Sequence, residues 1–321
     1  MKRKYLLYLI GVSIFIIILF KIDLKELWQQ IQSLQFVHLV VAVFLLIPIY
    51  FFKSLRWKTI LNGFNIPYPL TQSILTFTSA NFIAFITPGR IGEVAKAFYV
   101  SEDTGASFVK AFSGIIVDRV FDILALLVFS LIGSLVFLEL YQFPFYFYLA
   151  VFVVILLSVS VIHVNVVQFF DQYLLKFSWY KKYLYRYVFV YISAVKLLSF
   201  KNMFLSGILT LLAYIVLFLL ASQLGYSLGF TFNFKHYILF ISITNILSFL
   251  PISIAGLGTR EAAMIFLFSL FGLQPQSAVA FSMLIFAVFY IFGGLLGLVC
   301  FIMKPVSFQK LKYKQSKSNE T

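Results

Sequence analysis

The sequence predicts an all-α polytopic membrane protein, and its composition and the spacing of its apolar runs support this fold class. Hydrophobic residues make up 62% of the 321 residues and charged residues only 11%, whereas soluble domains carry about 25% charged residues. Long apolar runs recur along the chain, and a helix needs about 20 such residues to cross a bilayer. This composition excludes an ordinary soluble domain.

Six apolar segments are predicted to be full transmembrane helices. The first follows a basic start and resembles a signal peptide, but no small-residue cleavage site follows it, so we expect it to be retained. After it, apolar residues at helical spacing between Asp23 and Gln35 predict a short surface helix, with Asp23 and Glu26 as its capping pair. The six segments cover residues 5–20, 36–52, 107–138, 146–163, 203–224 and 278–303.

The distribution of basic residues predicts the orientation of the chain. With a cytoplasmic N-terminus, 18 of the 25 Lys and Arg residues lie on the inside, three on the outside and four at membrane depth. This asymmetry fits the positive-inside rule. We therefore expect a single domain over residues 1–303 in the cytoplasmic membrane, a basic tail over 304–321 and both termini in the cytoplasm. The net charge of +14 reflects this orientation, and we expect no nucleic-acid partner.

Two further apolar segments are interrupted by glycine and proline. Residues 70–106 begin and end on the predicted inner side, and residues 236–273 begin and end on the outer side. The halves of the second segment, 15 and 11 residues long, are each too short to cross a bilayer alone. We therefore predict two re-entrant helical hairpins of opposite orientation, because broken backbone at membrane depth is tolerated only inside protein or beside a cavity.

The two interruptions resemble each other. Glu93-Val-Ala-Lys-Ala-Phe98 aligns with Glu261-Ala-Ala-Met-Ile-Phe266, and each follows a glycine-bearing turn with an arginine, Arg90 or Arg260. Asn81 precedes the first turn and Asn245 the second. Paired broken helices are typical of transporters with inverted repeats, whose binding site lies near the midplane of the membrane. We therefore expect the Arg, Glu and Asn residues of both interruptions to contact the substrate.

Charged residues within the predicted membrane segments are candidates for that site. Arg90, Glu93 and Lys96 follow one another at steps of three and would share one helix face. Alternatively, they lie at the cytoplasmic interface and cap the hairpin.

A second group of charges lies within the long segment 107–138. Asp118 and Asp122 share a helix face and repel each other unless a cation lies nearby. Arg119 is placed to pair with Asp122, and Arg90 or Arg260 to pair with Asp118. This group is as consistent with a structural ion-pair network as with a functional one.

Arg260 and Glu261 lie at the start of a half-helix. The N-terminus of a helix favours anions, which indicates a phosphate headgroup as ligand.

Cys300 is the single cysteine, which excludes disulfides and thiolate metal sites, and the three histidines lie far apart. We therefore assign no catalytic residue, metal or cofactor.

These motifs resemble the lysylphosphatidylglycerol synthase transmembrane-region family, a flippase-like membrane domain. The resemblance covers residues 1–303 and is carried by Arg56-Trp57, Pro88-Gly-Arg-Ile-Gly-Glu93, Asp118-Arg119 with Asp122, and Pro251 through Gly256-Leu-Gly-Thr-Arg-Glu261. It implies a lipid flippase, which in two-part members is joined to a soluble half that transfers an amino acid from aminoacyl-tRNA to phosphatidylglycerol. Only 18 residues follow residue 303, so we expect that soluble half to be absent.

The sequence thus predicts a protein that binds and translocates an anionic phospholipid or a lipid-linked carrier across the cytoplasmic membrane. Its expected partners are membrane lipids and, in one interpretation, a separate lipid-modifying enzyme. The alternatives are a membrane enzyme of aminoacyl-phospholipid or glycolipid synthesis, with Glu93 or Asp118 as base, and a scaffold for a separate synthase.

Overall fold

The computed structural model describes residues 15–135, 164–175, 185–248 and 256–305. Within these ranges the chain is helical between short turns and contains no strand, which confirms the predicted all-α class. The elements, numbered in chain order, are α1 (residues 15–21), α2 (Leu24–Gln32), α3 (Phe36–Phe44), α4 (Leu46–Gly63), α5 (Leu70–Ile86), a 3-10 helix (Pro88–Val94), α6 (Ala95–Thr104), α7 (Phe108–Leu135), α8 (Val164–Leu174), α9 (Tyr185–Lys196), α10 (Phe200–Ser227), α11 (Phe234–Ser248), α12 (Thr259–Ser269), α13 (Pro275–Phe286), a π-helix (Ala287–Phe292) and α14 (Gly293–Met303).

Three helices of the described ranges are long and apolar enough to cross a membrane. They cover Phe36–Gly63, Phe200–Ser227 and Pro275–Met303. Helix α7 has 28 residues and coincides with the predicted span 107–138, although it carries three charged residues near its middle. The predicted spans 5–20 and 146–163 lie outside the described ranges, apart from residues 15–20.

The second predicted span ends later than the sequence indicated. We expected it to end at Phe52 because Lys53, Arg56 and Lys58 follow, but the helix continues to Gly63. Within it, α3 ends at Phe44, and α4 begins at Leu46. Pro48 explains this interruption, since a proline ring clashes with the carbonyl four residues earlier.

The surface helix α2 has the predicted N-terminus. The Asp23 carboxylate accepts hydrogen bonds from the N–H groups of Lys25 and Glu26, at 2.8 and 3.1 Å, which is the geometry of a helix N-cap. Leu27 is buried, whereas Trp28 is 60% exposed. An exposed tryptophan on a short amphipathic helix is typical of a helix in the membrane interface.

Each interrupted segment forms a helical hairpin. In the first, α5 leads through the 3-10 helix into α6, and both α6 and the 3-10 helix pack against α5. In the second, α11 and α12 pack against each other, with a glycine turn at residues 256–258 before α12. Residues 249–255, which include Pro251 of the second predicted break, lie outside the described ranges.

The two hairpins occupy equivalent places in the fold. Helices α4 and α7 flank the first hairpin in the chain, and α10 and α13–α14 flank the second. Helix α4 packs against α10, α5 packs against α14, and α11 packs in the corresponding way against α7. Helix α6 packs on α7 as α12 packs on α13. This reciprocal pattern is expected of a duplicated unit, and it supports the predicted repeat.

Polar contacts join separate segments of the chain at each end of the helix bundle. At one end, the Lys304 ammonium donates to the side-chain carbonyl of Gln72 at 2.6 Å and contacts the Asp103 carboxylate. Since Gln72 and Asp103 lie near the two ends of the first hairpin, that hairpin starts and finishes at the same end of the bundle. At the other end, Gln30 donates to Ser277 at 3.1 Å. A re-entrant hairpin must start and finish at the same end, as the first hairpin does. Its place in the membrane stays a prediction.

Candidate functional site

Arg56 lies at the centre of a buried ion-pair network that joins α4 to α7. Its Nε donates to the Asp118 carboxylate at 2.8 Å, and its Nη1 donates to Asp122 at 3.0 Å. The same Nη1 donates to the Thr210 hydroxyl on α10 at 2.9 Å. Asp118 and Asp122 are one helical turn apart, so the guanidinium offsets their mutual repulsion. Arg56 therefore links three helices.

Lys96 connects the first hairpin to this network. Its ammonium donates to Asp118 at 2.8 Å and lies 3.7 Å from a carboxylate oxygen of Glu93. The rings of Trp57 and Phe77 lie about the ammonium, with their centroids at 5.0 and 4.9 Å. Cation–π attraction adds to the stabilisation of a desolvated cation. Lys96 is thus buried with its charge matched.

The 3-10 helix positions Glu93 at the edge of the network. Thr87 directly follows α5, and its hydroxyl accepts the N–H of Gly92 at 2.8 Å. Gly92 packs so closely that a Cβ there would lie 2.5 Å from the backbone of Ile83. A residue without a side chain is therefore required where the turn lies against α5.

Arg119 and Lys53 are the more accessible charges of the network. Arg119 contacts the Glu93 carboxylate and lies 3.6 Å from Asp122, and Lys53 donates to Asp122 at 3.2 Å. The side chains of Arg119 and Lys53 are 24% and 21% exposed, whereas those of Glu93 and Asp122 are 7% and 2% exposed. These two cations are therefore more accessible than the carboxylates with which they pair.

The second hairpin carries a smaller polar cluster at the start of α12. One oxygen of Glu261 accepts the N–H of Gly258 at 2.6 Å, and the other accepts from Arg260 at 2.6 Å and from Ser282 at 2.8 Å. Gly258 has a φ of 84°, a conformation that favours glycine. The Arg260 guanidinium lies 5.4 Å from the ring centroid of Phe286. Glu261 therefore caps α12 and fixes Arg260.

A cavity of about 580 Å³ lies between the two hairpins and the long helices. This volume falls in the usual range of ligand pockets, about 300–1,000 Å³. Most of its wall is apolar or aromatic, and the π-helix contributes Phe289 and Tyr290. The lining residues that carry polar groups are Tyr50, Lys53, Asn81, Glu93, Arg119, Asp122, Tyr214, Thr244, Asn245, Arg260 and Tyr290.

Side chains from both predicted hairpins thus meet at one cavity. Of the ten residues predicted to bind substrate, six line its wall: Asn81, Glu93, Arg119, Asp122, Asn245 and Arg260. Lys96, Asp118 and Glu261 are buried and bond to the network or to lining residues. Arg90 lies on the 3-10 helix, and its side chain is not among those that the structure describes. The role of these ten residues as substrate contacts stays a prediction.

Only part of the pairing within the site matches the expectation from the sequence. The expected pair of Arg119 and Asp122 is present at 3.6 Å. Arg260, however, pairs with its neighbour Glu261, and Asp118 is bound by Arg56 and Lys96. Of the two arginines offered as partners of Asp118, Arg260 is therefore not one, because its guanidinium bonds to Glu261 and to the Ser282 hydroxyl.

Lys53 and Arg56 are the charged site residues that sequence reasoning missed. Both were assigned to the inner surface as part of the positive-inside count. One indication was available: no helix breaker lies between Pro48 and the Asn62-Gly63 pair. Lys53 and Arg56 are three residues apart, and they therefore lie on one face of a helix that continues.

The chemistry of the site is that of charge pairing. Within the described ranges, no group of three or more His, Cys, Asp or Glu side chains is arranged to hold a metal ion. The network instead presents guanidinium and ammonium groups, which bind carboxylates and phosphates. Such a site can hold an anion that competes with the internal carboxylates for the exposed cations.

Comparison with known proteins gives one family and two relatives. The family described as "Lysylphosphatidylglycerol synthase TM region" matches residues 7–297. The UPF0104 membrane protein PH1989 of Pyrococcus horikoshii is 26% identical over 136 residues, or 41% of each chain. The UPF0104 membrane protein MJ1595 of Methanocaldococcus jannaschii is 24% identical over 97% of this chain and 98% of its own length.

The match therefore spans about two fifths of the first relative and nearly all of the second. None of the solved structures matches the chain. The family match covers the hairpins, the ion-pair network and the cavity wall within one continuous alignment. By this match the chain belongs to the lysylphosphatidylglycerol synthase transmembrane-region family of membrane proteins.

Proposed function

We propose that this protein binds the phosphate headgroup of an anionic phospholipid or lipid-linked carrier in the central cavity and moves it between the leaflets of the membrane. The observation that carries the proposal is the shared cavity wall, to which the first hairpin contributes Glu93 and the second contributes Arg260. In transporters built from repeats, the substrate site lies where the two repeats meet.

The accessible charge in the cavity favours an anionic ligand. Arg119 and Lys53 are the more accessible charged groups, and the carboxylates that neutralise them are buried. A phosphate that enters the cavity therefore meets guanidinium and ammonium groups first. Arginine in particular matches the planar, two-point geometry of phosphate recognition.

The remainder of the cavity suits a lipid. Its wall is largely apolar, which accommodates the hydrocarbon and glycerol parts of a lipid beside its headgroup. Two hairpins that enter from opposite sides allow alternating exposure of one site to each leaflet. A fixed catalytic site would need only one accessible side, so this arrangement favours transport over the alternative of a membrane enzyme.

A reconstitution experiment tests this proposal. Purified protein in phosphatidylcholine liposomes should move a fluorescent phosphatidylglycerol between leaflets and leave it chemically unchanged. Replacing Arg119 or Arg260 by glutamine should lower the exchange rate at least tenfold, since a charge-assisted hydrogen bond is worth about 1.5–3 kcal/mol. Lys201→Gln, which removes an exposed cation on α10, should leave the rate unchanged and serves as control.

Two outcomes would overturn the proposal. Normal exchange by a well-folded Arg119→Gln/Arg260→Gln double variant would show that these arginines do not hold the headgroup. A new lipid species formed on addition of aminoacyl-tRNA or a sugar donor, without leaflet exchange, would instead establish a membrane enzyme.

A further inference from the structure

Asn81 and Asn245 line the central cavity, one from each hairpin. Asn81 lies near the C-terminal end of α5, and Asn245 lies near that of α11, so each belongs to the first helix of its hairpin. Asn81 is only 7% exposed. An amide group is costly to bury without a hydrogen bond, so the partner of each side chain has to be identified.

Neither side-chain amide is paired within the part of the chain that the structure describes. Asn81 and Asn245 form no side-chain hydrogen bond with another described residue. The described side-chain atoms that are sealed in the protein without a partner belong to other residues, so the two amides adjoin open space. For Asn81, which is more than nine-tenths buried and lines the cavity, that space is the cavity.

The hydrogen-bonding groups of these amides differ from those of the cations in the cavity. Lys53, Arg119 and Arg260 have N–H donors and no acceptor, which suits phosphate oxygens that only accept. A carboxamide has N–H donors and also a carbonyl oxygen that accepts. A phosphodiester can satisfy the N–H groups of Asn81 and Asn245 but not their carbonyl oxygens. Those oxygens therefore require a donor on the ligand.

The charge of the cavity wall indicates that this donor is neutral. The described lining residues include three cations, Lys53, Arg119 and Arg260, and two carboxylates, Glu93 and Asp122. One bound phosphodiester would balance the excess positive charge. An ammonium group on the same ligand would leave a positive charge uncompensated, and buried charges are costly unless they are paired. A hydroxyl group donates a hydrogen bond and leaves the balance unchanged.

We infer that Asn81 and Asn245 select headgroups that carry alcohol hydroxyl groups beside the phosphate, with each carboxamide oxygen accepting a hydrogen bond from a ligand hydroxyl. This inference rests on the proposed function and narrows its substrate to phosphodiesters of an uncharged polyol. A headgroup without hydroxyl groups displaces water from the amides and does not replace its hydrogen bonds, which lowers affinity.

Two lipids that differ only in their hydroxyl groups test this selection. Dihexanoyl phosphatidylglycerol and dihexanoyl phosphatidylpropanol carry the same charge and the same number of headgroup carbons. Wild-type protein in detergent should bind the glycerol lipid about tenfold more tightly, because a site that hydrogen-bonds a hydroxyl rejects the analogue that lacks it. Fluorescent forms of both lipids should show the same order of exchange rates in liposomes.

Leucine variants test the two asparagines. Asn81→Leu and Asn245→Leu keep a branched side chain and remove its hydrogen bonds. Each should weaken binding of the glycerol lipid about threefold, as expected for one hydrogen bond, and leave binding of the propanol lipid unchanged. The double variant should bind both lipids equally. Asn233→Leu, an exposed change before α11, should keep the wild-type preference.

Soluble diesters separate recognition of the headgroup from recognition of the whole lipid. Methyl glycerophosphate carries hydroxyl groups, and dimethyl phosphate does not. A preference for the hydroxyl-bearing member of both the soluble and the lipid pair would assign the selection to the phosphodiester and its alcohol. A preference within the lipid pair alone would assign it to the intact lipid. Either result supports the hydroxyl contact.

The contrary outcomes separate the two proposals. Equal binding and exchange of the two lipids by the wild type would overturn the selection of hydroxyl groups and leave lipid transport intact. A preference that persists in the folded double variant would remove Asn81 and Asn245 as its cause. Folded wild-type protein that binds none of the probes would overturn the proposed function, and this inference with it.

Discussion

Arg56 is the residue on which the charge balance of the protein interior depends most. One guanidinium is bonded to Asp118, Asp122 and the hydroxyl of Thr210, and its side chain is 0% exposed. Buried ion pairs add little net stability compared with apolar packing, but removal of one partner leaves a buried charge uncompensated. The protein should therefore tolerate replacement of Arg56, Asp118 and Asp122 together by apolar residues better than loss of Arg56 alone.

Replacement of Arg56 by alanine should destabilise the protein by roughly 3–5 kcal/mol, because Asp118 and Asp122 lose their shared counter-charge. Arg56→Lys should be intermediate, since an ammonium keeps the charge but cannot bond in the forked geometry of a guanidinium. Thermal unfolding of the purified protein in detergent measures both effects.

Lys58, two positions further along α4, provides the matched control. It is half-buried, and Lys58→Gln should change the free energy of unfolding by no more than about 0.5 kcal/mol. Equal stability of Arg56→Ala and wild type would show that the two aspartates do not need Arg56, and would contradict the network described above.

The first hairpin depends on the close approach of its turn to α5. Gly92 donates to Thr87, and its α-carbon faces the backbone of Ile83. The backbone cannot move aside as a flexible side chain can, so the turn has room only for glycine. The positions of Glu93 and Lys96 in the ion-pair network follow from this contact, because they come directly after the turn.

Gly92→Ala should displace the turn and cost about 1–3 kcal/mol, the usual effect of overpacking. Lipid exchange should fall as well, since Glu93 would move away from Arg119. Unfolding and the liposome assay, applied to the same preparation, measure the two effects.

Gly207 in α10 offers the opposite case. No described atom lies within 4 Å of a Cβ added there, so Gly207→Ala should stabilise its helix by about 0.5–1 kcal/mol. If Gly92→Ala were as stable and active as Gly207→Ala, the close packing of the first turn would not determine the site.

The whole molecule has two distinct ends. Gln72, Asp103 and Lys304 meet at one end, and Gln30 and Ser277 meet at the other. The helix Pro275–Met303 separates Ser277 from Lys304 and is long enough to cross a membrane. The end that contains Lys304 is the one to which the positive-inside rule assigns the cytoplasm.

Cysteine labelling tests this orientation. In a Cys300→Ser background, a cysteine at the exposed position Asn233 should react with an impermeant thiol reagent on intact cells. A cysteine at the exposed position Glu102 should react only after the membrane is made permeable. The reverse pattern would place Lys304 outside and invert the model of the two hairpins.

Local features of the sequence were enough to predict the class of protein and many of the candidate site residues. Apolar runs and glycine–proline interruptions depend on residues close together in the chain, so membrane class and both hairpins could be located. Charges inside an apolar segment are equally visible, and six of the ten predicted residues line the cavity. The sequence also placed Arg260 and Glu261 at the start of a half-helix, and α12 begins there.

The partners of these charges were decided by the tertiary structure. Arg56 and Asp118 are 62 positions apart in the chain, and only the packing of α4 on α7 brings them together. A basic residue at the end of an apolar run has the same local sequence whether it faces the cytoplasm or a buried carboxylate. The free energy of burying its charge depends on that distant carboxylate. For the same reason the common cavity of the two hairpins, whose wall residues extend from Ile49 to Tyr290, could be identified only in the folded chain.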